Sequence, residues 1–283
     1  MLEIIVYGAV TSAIYAMLAI GFTLIFGVAR ILNLAHGAFY ALGAYATFFL
    51  TSVGLPLIPA AALAVLFVAG FGVLMERYLV RPLRRSQLAV LMITLAVSLA
   101  VEQALFLVFG SEYRNVPSFV GDKLTIGGVD VSGQRMLALA VAVVVLGGLW
   151  LFIQRTRLGS AILAISQDAE AAQYMGIPSD RIFSIVMAIS AGTAALAGLL
   201  VAPFLTVQPS MGLLPMVKAF AIVIVGGLGS IPGSIMASLL LGYSETIVAY
   251  LGSTSWTELV SLVAVVLTLL LRPAGLFGRR AAF

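Results

Sequence analysis

Four stretches of this chain, at residues 4–27, 55–75, 136–153 and 182–203, run for 18 to 24 residues without a charged side chain. Each matches the roughly 20 apolar residues a helix needs to cross a bilayer. A fifth, 88–109, carries Glu102 as its one charge, and a sixth, 256–271, carries only Glu258. Two further apolar stretches are interrupted. VARILNLAHG at 28–37 separates 4–27 from 37–52, and GGLGSIPG at 226–233 divides the uncharged run 219–244. If both interruptions reverse the chain, the pattern predicts nine membrane segments; eight is the main competing count, and a re-entrant hairpin would also satisfy the glycines. The fold class expected is therefore all-α, a polytopic membrane bundle of about eight or nine transmembrane segments with broken or re-entrant helices. Residues 1–283 read as one membrane domain with no soluble domain inside it. The N-terminal MLEIIVYG lacks a basic region and a small-residue cleavage site, so 4–27 reads as an uncleaved helix.

Composition sharpens the class. Hydrophobic residues make up 62% of 283 positions and charged residues 9%, against about 25% charged in a soluble domain. Mean hydropathy is +1.17. A pI near 9.6 would suit nucleic acid, but the distribution of the basic residues argues against it. Arg77, Arg81, Arg84 and Arg85 follow one helix; Arg155, Arg157 and Arg181 lie in one loop; Arg272, Arg279 and Arg280 lie at the C-terminus. With Arg30 these are 11 of the 15 basic residues. Loops on the cytoplasmic side collect Lys and Arg, so the basicity orients the chain, N-out/C-in, rather than marking nucleic acid. Residues 110–135 then lie outside, and LTIGGVDV at 124–131 reads as a short β-hairpin around a Gly-Gly turn.

The interrupted stretches fall in corresponding parts of the chain, and VRPLRRS (80–86) and LRPAGLFGRR (271–280) close corresponding trios of helices. This suggests duplicated halves, with both trios running outside to inside and so related in parallel. Little catalytic chemistry is present. The two lysines, Lys123 and Lys218, do not follow a Walker glycine, so ATP is not bound that way here. With one histidine and no cysteine, there is no metal cluster and no thiol chemistry. Glu102 and Glu245 are intramembrane carboxylates, each an interhelical hydrogen-bond partner or a pathway group. Lys218 and Glu258 sit at outer helix ends, where solvation or snorkelling serves them. His36, inside Asn33-Leu34-Ala35-His36-Gly37, reads as a side chain bonding carbonyls freed by the helix break. Gly192, Ala195, Ala197 and Gly198 read as close helix packing.

The one long polar segment is 154–181, QRTRLGSAILAISQDAEAAQYMGIPSDR. Its pattern is helical over 160–175, with Ser160 as N-cap, Gly176 as stop and Pro178 beyond. Ile162, Ile165, Ala169 and Ala172 share a stripe. An interfacial helix on anionic lipid carries Lys and Arg on its polar face. This one carries Asp168 and Glu170 and no base, which points to protein docking.

RTRLGSAILAISQDAEAAQYMGI resembles the ATPase-contacting cytoplasmic loop of ABC importer permeases. GFTLIFGVARILNLAHGAFYALGAY (21–45), GGLGSIPGS and RPAGLFG together resemble branched-chain amino-acid permease subunits of the LivH type, end to end. The chain departs from that pattern at Ala274 and at Glu102. The resemblance implies one of two membrane subunits of an importer in the bacterial inner membrane, not an enzyme. Its partners would be a second homologous permease (as heterodimer or homodimer), two ATPases holding ATP and magnesium, a periplasmic substrate-binding protein and membrane lipid. The chain itself would hold no cofactor, no metal and no nucleic acid. The ATPase-docking residues expected are Arg157, Gly159, Ile162, Ile165, Asp168, Glu170, Ala172 and Gly176. The pathway or hinge residues expected are Asn33, His36, Gly37, Gly226, Gly227, Gly229 and Gly233. A urea or short-amide permease and a stand-alone secondary amino-acid transporter are the alternatives.

Overall fold

The computed structural model describes residues 2–126, 129–252 and 256–278. In chain order the elements are α1 (Leu2–Ala29), α2 (His36–Ser52), α3 (Leu57–Met75), α4 (Gln87–Phe109), β1 (Lys123–Ile126), β2 (Val129–Ser132), α5 (Gly133–Arg155), α6 (Arg157–Gln167), α7 (Ala169–Tyr174), α8 (Ser179–Val201), α9 (Leu213–Gly226), α10 (Ile231–Leu251) and α11 (Thr257–Leu271). A π-helical turn, Glu76–Val80, and a short 3-10 turn, Arg81–Leu83, continue α3. The architecture is an all-α bundle. Among the described residues, six helices are long and apolar enough to cross a membrane, and α9 and α11 are shorter apolar helices. The hairpin expected in the 110–135 segment is present, with Leu124 opposite Val131 and Thr125 opposite Asp130. Its Gly127-Gly128 turn lies outside the described residues, as do Arg279 and Arg280.

Burial divides the helices into two classes. Helices α1 and α8 are enclosed on most sides, as befits helices apolar all round. By contrast, α4 buries only Val90, Thr94 and Leu105. The same small residues that lower side-chain bulk let α2 and α8 meet backbone to backbone. A Cβ at Gly198 would fall on the Tyr40 carbonyl, and one at Gly43 on the Ala195 backbone.

The packing pairs α1–α3 with α8–α10 in an antiparallel exchange, a different grouping from the parallel trios that the motifs at 80–86 and 271–280 suggested. Helix α1 packs most extensively on α10, and α3 correspondingly on α8; α2 packs on α8 and α9 on α1; α1 meets α8 and α2 meets α9. These contacts exchange α1–α3 with α8–α10. Helix α1 ends near Gly229, beside α6, on the face where α8 begins after α7, so the related helices run in opposite directions. The two Arg-Pro motifs that suggested a parallel repeat differ in structure. RPL lies in the turn after α3, while RPAGLFG follows α11 and folds back onto α9.

Inversion also explains the two short helices. His36, the first residue of α2, reaches the carbonyl of Leu18, well inside α1, and Ser190, midway along α8. Helix α9 begins against the same point. A Cβ at Gly37 would strike the Gly212 carbonyl, and one at Gly212 would strike the Gly37 carbonyl. Helices α2 and α9 thus start nose to nose in the middle of the bundle and diverge towards opposite faces.

Candidate docking and translocation sites

The polar segment 154–181 folds as two helices rather than the single one expected. Thr156, not Ser160, is the N-cap of α6, its hydroxyl accepting from the Gly159 amide at 2.9 Å. The break falls at Asp168, whose carboxylate accepts from the amides of Glu170 (2.9 Å) and Ala171 (3.0 Å) and so starts α7. An aspartate in an exposed helix competes for backbone donors, which favours a cap over a helix interior. Gly176, with φ of 83°, ends α7 as expected.

The apolar stripe faces inward. Ile162, Ile165 and Ala172 are buried in the core shared with α1 and α8, and Gly159 fits against the Phe152 and Ile153 carbonyls, where a Cβ has no room. These four residues anchor the segment to its own bundle. What they leave outward is Arg157, Asp168, Glu170 and Gly176, with Tyr174 at 86% and Met175 at 83% exposure. Tyr174 and Met175 thus stand exposed beside the Asp168 and Glu170 carboxylates. Tyr174 and Met175 were not among the residues singled out from sequence.

The break at 30–35 is held by side chains. Asn33 Oδ1 accepts from the Ala35 amide at 3.0 Å, its Nδ2 contacts Met187 Sδ at 3.6 Å, and the Leu34 amide donates to Thr94 Oγ1 at 3.2 Å. His36 is wholly enclosed between Phe22 and Phe39. Because the Leu18 carbonyl can only accept, Nε2 carries the proton, and Nδ1 accepts from Ser190 Oγ at 3.3 Å. The histidine therefore bolts α2 to α1 and α8. Arg30, with φ of 52°, turns the chain out of α1 and is exposed.

The glycine-rich reversal 226–233 joins α9 to α10. Ser230 caps α10 through the Gly233 amide at 3.2 Å, and Gly226 and Gly233 touch backbone to backbone. The C-terminal RPAGLFG segment completes this corner. The Leu276 amide donates to the Val225 carbonyl (2.8 Å) and the Phe277 amide to the Gly226 carbonyl (3.0 Å). The last carbonyls of a helix lack intrahelical partners, and this motif supplies them for α9. Gly227 sits against Gly278 and Gly229 against Gly27, so all four glycines of the reversal, 226, 227, 229 and 233, mark close backbone approach.

The family described as branched-chain amino acid transport system, permease component, matches residues 4–270. The chain belongs to that permease family. It is 33% identical to the high-affinity branched-chain amino acid transport system permease protein BraD of Pseudomonas aeruginosa, over 98% of this chain and 96% of that one. It is 29% identical to LivH of Escherichia coli, covering 96% and 94%. A probable LivH of Methanocaldococcus jannaschii is 30% identical, covering 98% and 92%. Among solved structures, "PsaBC from Streptococcus pneumoniae in complex with Fab" superposes with a TM-score of 0.55 at 14% identity, covering 94% of this chain and 91% of that one. That likeness is one of fold alone.

Two polar clusters of the permease escape a reading by sequence. Glu245 on α10 accepts from Tyr15 Oη, Lys218 Nζ and Ser261 Oγ, each at 2.5 Å, with Lys218 also 5.2 Å from the Tyr15 ring centre. Lys218 is thus paired inside the bundle rather than snorkelling at a helix end. At the α6–α7 face, buried Glu76 in the π turn binds Arg81, Arg84 and Ser184, while Arg84 also meets Asp180 at 2.9 Å and lies 4.0 Å from the Phe183 ring. That network joins the end of α3 to the start of α8, directly after the 154–181 segment. Neither cluster has a sequence spacing that would reveal it, because its members lie on different helices.

Proposed function

We propose that this chain is the membrane-spanning subunit of an ATP-driven importer for branched-chain amino acids. The match to the permease family along residues 4–270 carries the reading, and the printed function of the BraD and LivH relatives supplies the cargo. The chain is a transport subunit of the inner membrane and not an enzyme; ATP hydrolysis belongs to separate subunits. A second permease, identical or homologous, completes the pore. Two ATPases dock on one face and a periplasmic binding protein on the other.

The α6–α7 face is cytoplasmic, giving N-out/C-in, supported by Arg77, Arg81, Arg84, Arg155 and Arg157 at that end of the chain's helices. Segment 154–181 is then the coupling loop and 110–135 the periplasmic one, within a single permease domain. Nine helices make the membrane region, of which α2 and α9 enter only from half-depth. The coupling surface is Asp168, Glu170, Tyr174 and Met175, while Ile162, Ile165 and Ala172 carry its displacement into α1 and α8. Gly37 and the glycines at 226, 227, 229 and 233 are the points about which the half-helices shift.

Reconstitution tests the reading. The complex of both permeases and ATPases in liposomes should accumulate leucine only with internal ATP and external binding protein. Uptake without ATP would instead establish a secondary transporter, and uptake of urea but not leucine a short-amide permease. Glu170→Lys with Tyr174→Ala should reduce co-purified ATPase on the order of ten-fold, as expected for loss of an aromatic and a charged contact, without lowering permease levels. Unchanged ATPase recovery would refute the docking assignment.

A further inference from the structure

We propose that the groove between α4 and α9 is this chain's share of the translocation path, and that Glu102 is the position in it that receives the ammonium group of the amino acid. The proposal rests on the amino-acid importer reading above and names its binding position. Along α4, Gln87, Leu91, Leu95, Ser98 and Glu102 recur at three- and four-residue steps, so they share one helix face. Gln87 and Leu91 line a cavity of about 570 Å³ that Arg30 also borders. Leu95, Ser98 and Glu102 line a second of about 110 Å³ farther along the same helix. Both are walled opposite by α9, through Phe220 and Ile224 in the first and Met216 in the second. The 30–38 segment borders both, with Ile31 in one and Leu34 in the other. The two cavities thus follow one another along α4, each between it and α9.

Glu102 has no hydrogen bond and no ion pair among the described residues, although it is partly enclosed within a membrane helix. A carboxylate at that depth is costly unless a cation or hydrogen-bond donor meets it. The other intramembrane carboxylate, Glu245, has three such partners from within the chain. The chain supplies no partner for Glu102 among the described residues, and a zwitterion entering the cavity brings an ammonium group. The same cavity holds what the rest of such a substrate needs. The buried first-turn amides of Gly37 and Ala38 have no acceptor among the described residues, which suits a carboxylate, and Leu95, Leu99 and Met216 offer an apolar wall to an aliphatic side chain. Leu95 and Leu99 are exposed on α4, and the second permease would cover them.

The test uses the assembled importer in liposomes and leucine as the probe. Wild type should take up leucine, Glu102→Gln should lower the rate about ten-fold or more, as for loss of a charge-assisted bond, and Glu102→Asp should retain part of it. A Glu102→Gln complex that assembles with its ATPases and transports leucine at the wild-type rate overturns the proposal while leaving the importer reading intact. A wild-type complex that moves no leucine refutes both. Because the chain contains no cysteine, Ser98→Cys supplies a single thiol in it and an independent reading of the groove. In the assembled complex that thiol should react with a water-soluble cationic thiosulfonate, and more slowly when leucine and loaded binding protein are present. An unreactive thiol there shows a packed or lipid-facing α4 and overturns the proposal even if Glu102→Gln fails to assemble.

Discussion

Glu245 and Glu102 look alike in the sequence and are opposites in the structure. Each is a single carboxylate in an otherwise apolar helix, each about two-thirds of the way along it. Glu245 is 4% exposed and satisfied by Tyr15, Lys218 and Ser261, which come from α1, α9 and α11. Glu102 faces a cavity and meets no partner among the described residues. The first is a knot that ties α1, α9 and α11 to α10; the second has no partner within the described residues. The difference teaches that an intramembrane acid is read by its neighbours and not by its depth. One that the fold neutralises serves stability, and one left open invites a ligand.

The contrast can be broken most forcefully at Glu245. Replacing it with alanine leaves Lys218 charged and enclosed, which should cost about 3–5 kcal/mol and show as a lower unfolding temperature of the detergent-solubilised permease. Tyr15→Phe removes one donor to a charged acceptor and should cost less, about 1.5–3 kcal/mol in the same measurement. Changing both charges together, Glu245→Leu with Lys218→Met, should recover most of the loss, since a buried pair is frequently replaceable by apolar side chains of similar volume. If the double change were as damaging as Glu245→Ala, the ion pair would have a role beyond neutralisation. Glu102→Gln should have the smallest effect on unfolding, within about 0.5 kcal/mol, while abolishing most transport. A large loss of stability at Glu102 would erase the distinction between the two acids.

Much of the fold was legible because lipid leaves few solutions: uncharged runs of membrane length must be helices that satisfy their own backbone. The runs at 4–27, 136–153 and 182–203 became α1, α5 and α8 with ends shifted by a few residues, and the reversal at 226–233 separates α9 from α10. The polar segment 154–181 was recognisable as a helical feature on one face, and Gly176 as its stop. Its division at Asp168 was harder to see, because a capping aspartate and a solvated aspartate look the same until the amides of Glu170 and Ala171 turn towards it.

The sequence by itself determined the class, the position of most membrane helices and the family, because hydrophobic length and local motifs are properties of contiguous residues. It also marked Asn33, His36 and the glycines at 37, 226 and 233 as unusual. Only the tertiary structure decided what those residues meet. The inverted pairing of α1–α3 with α8–α10, the meeting of Gly37 with Gly212, the pairing of Lys218 with Glu245 and the isolation of Glu102 all join residues distant along the chain. Such meetings depend on how helices cross and on which faces they bury, and no local spacing encodes them.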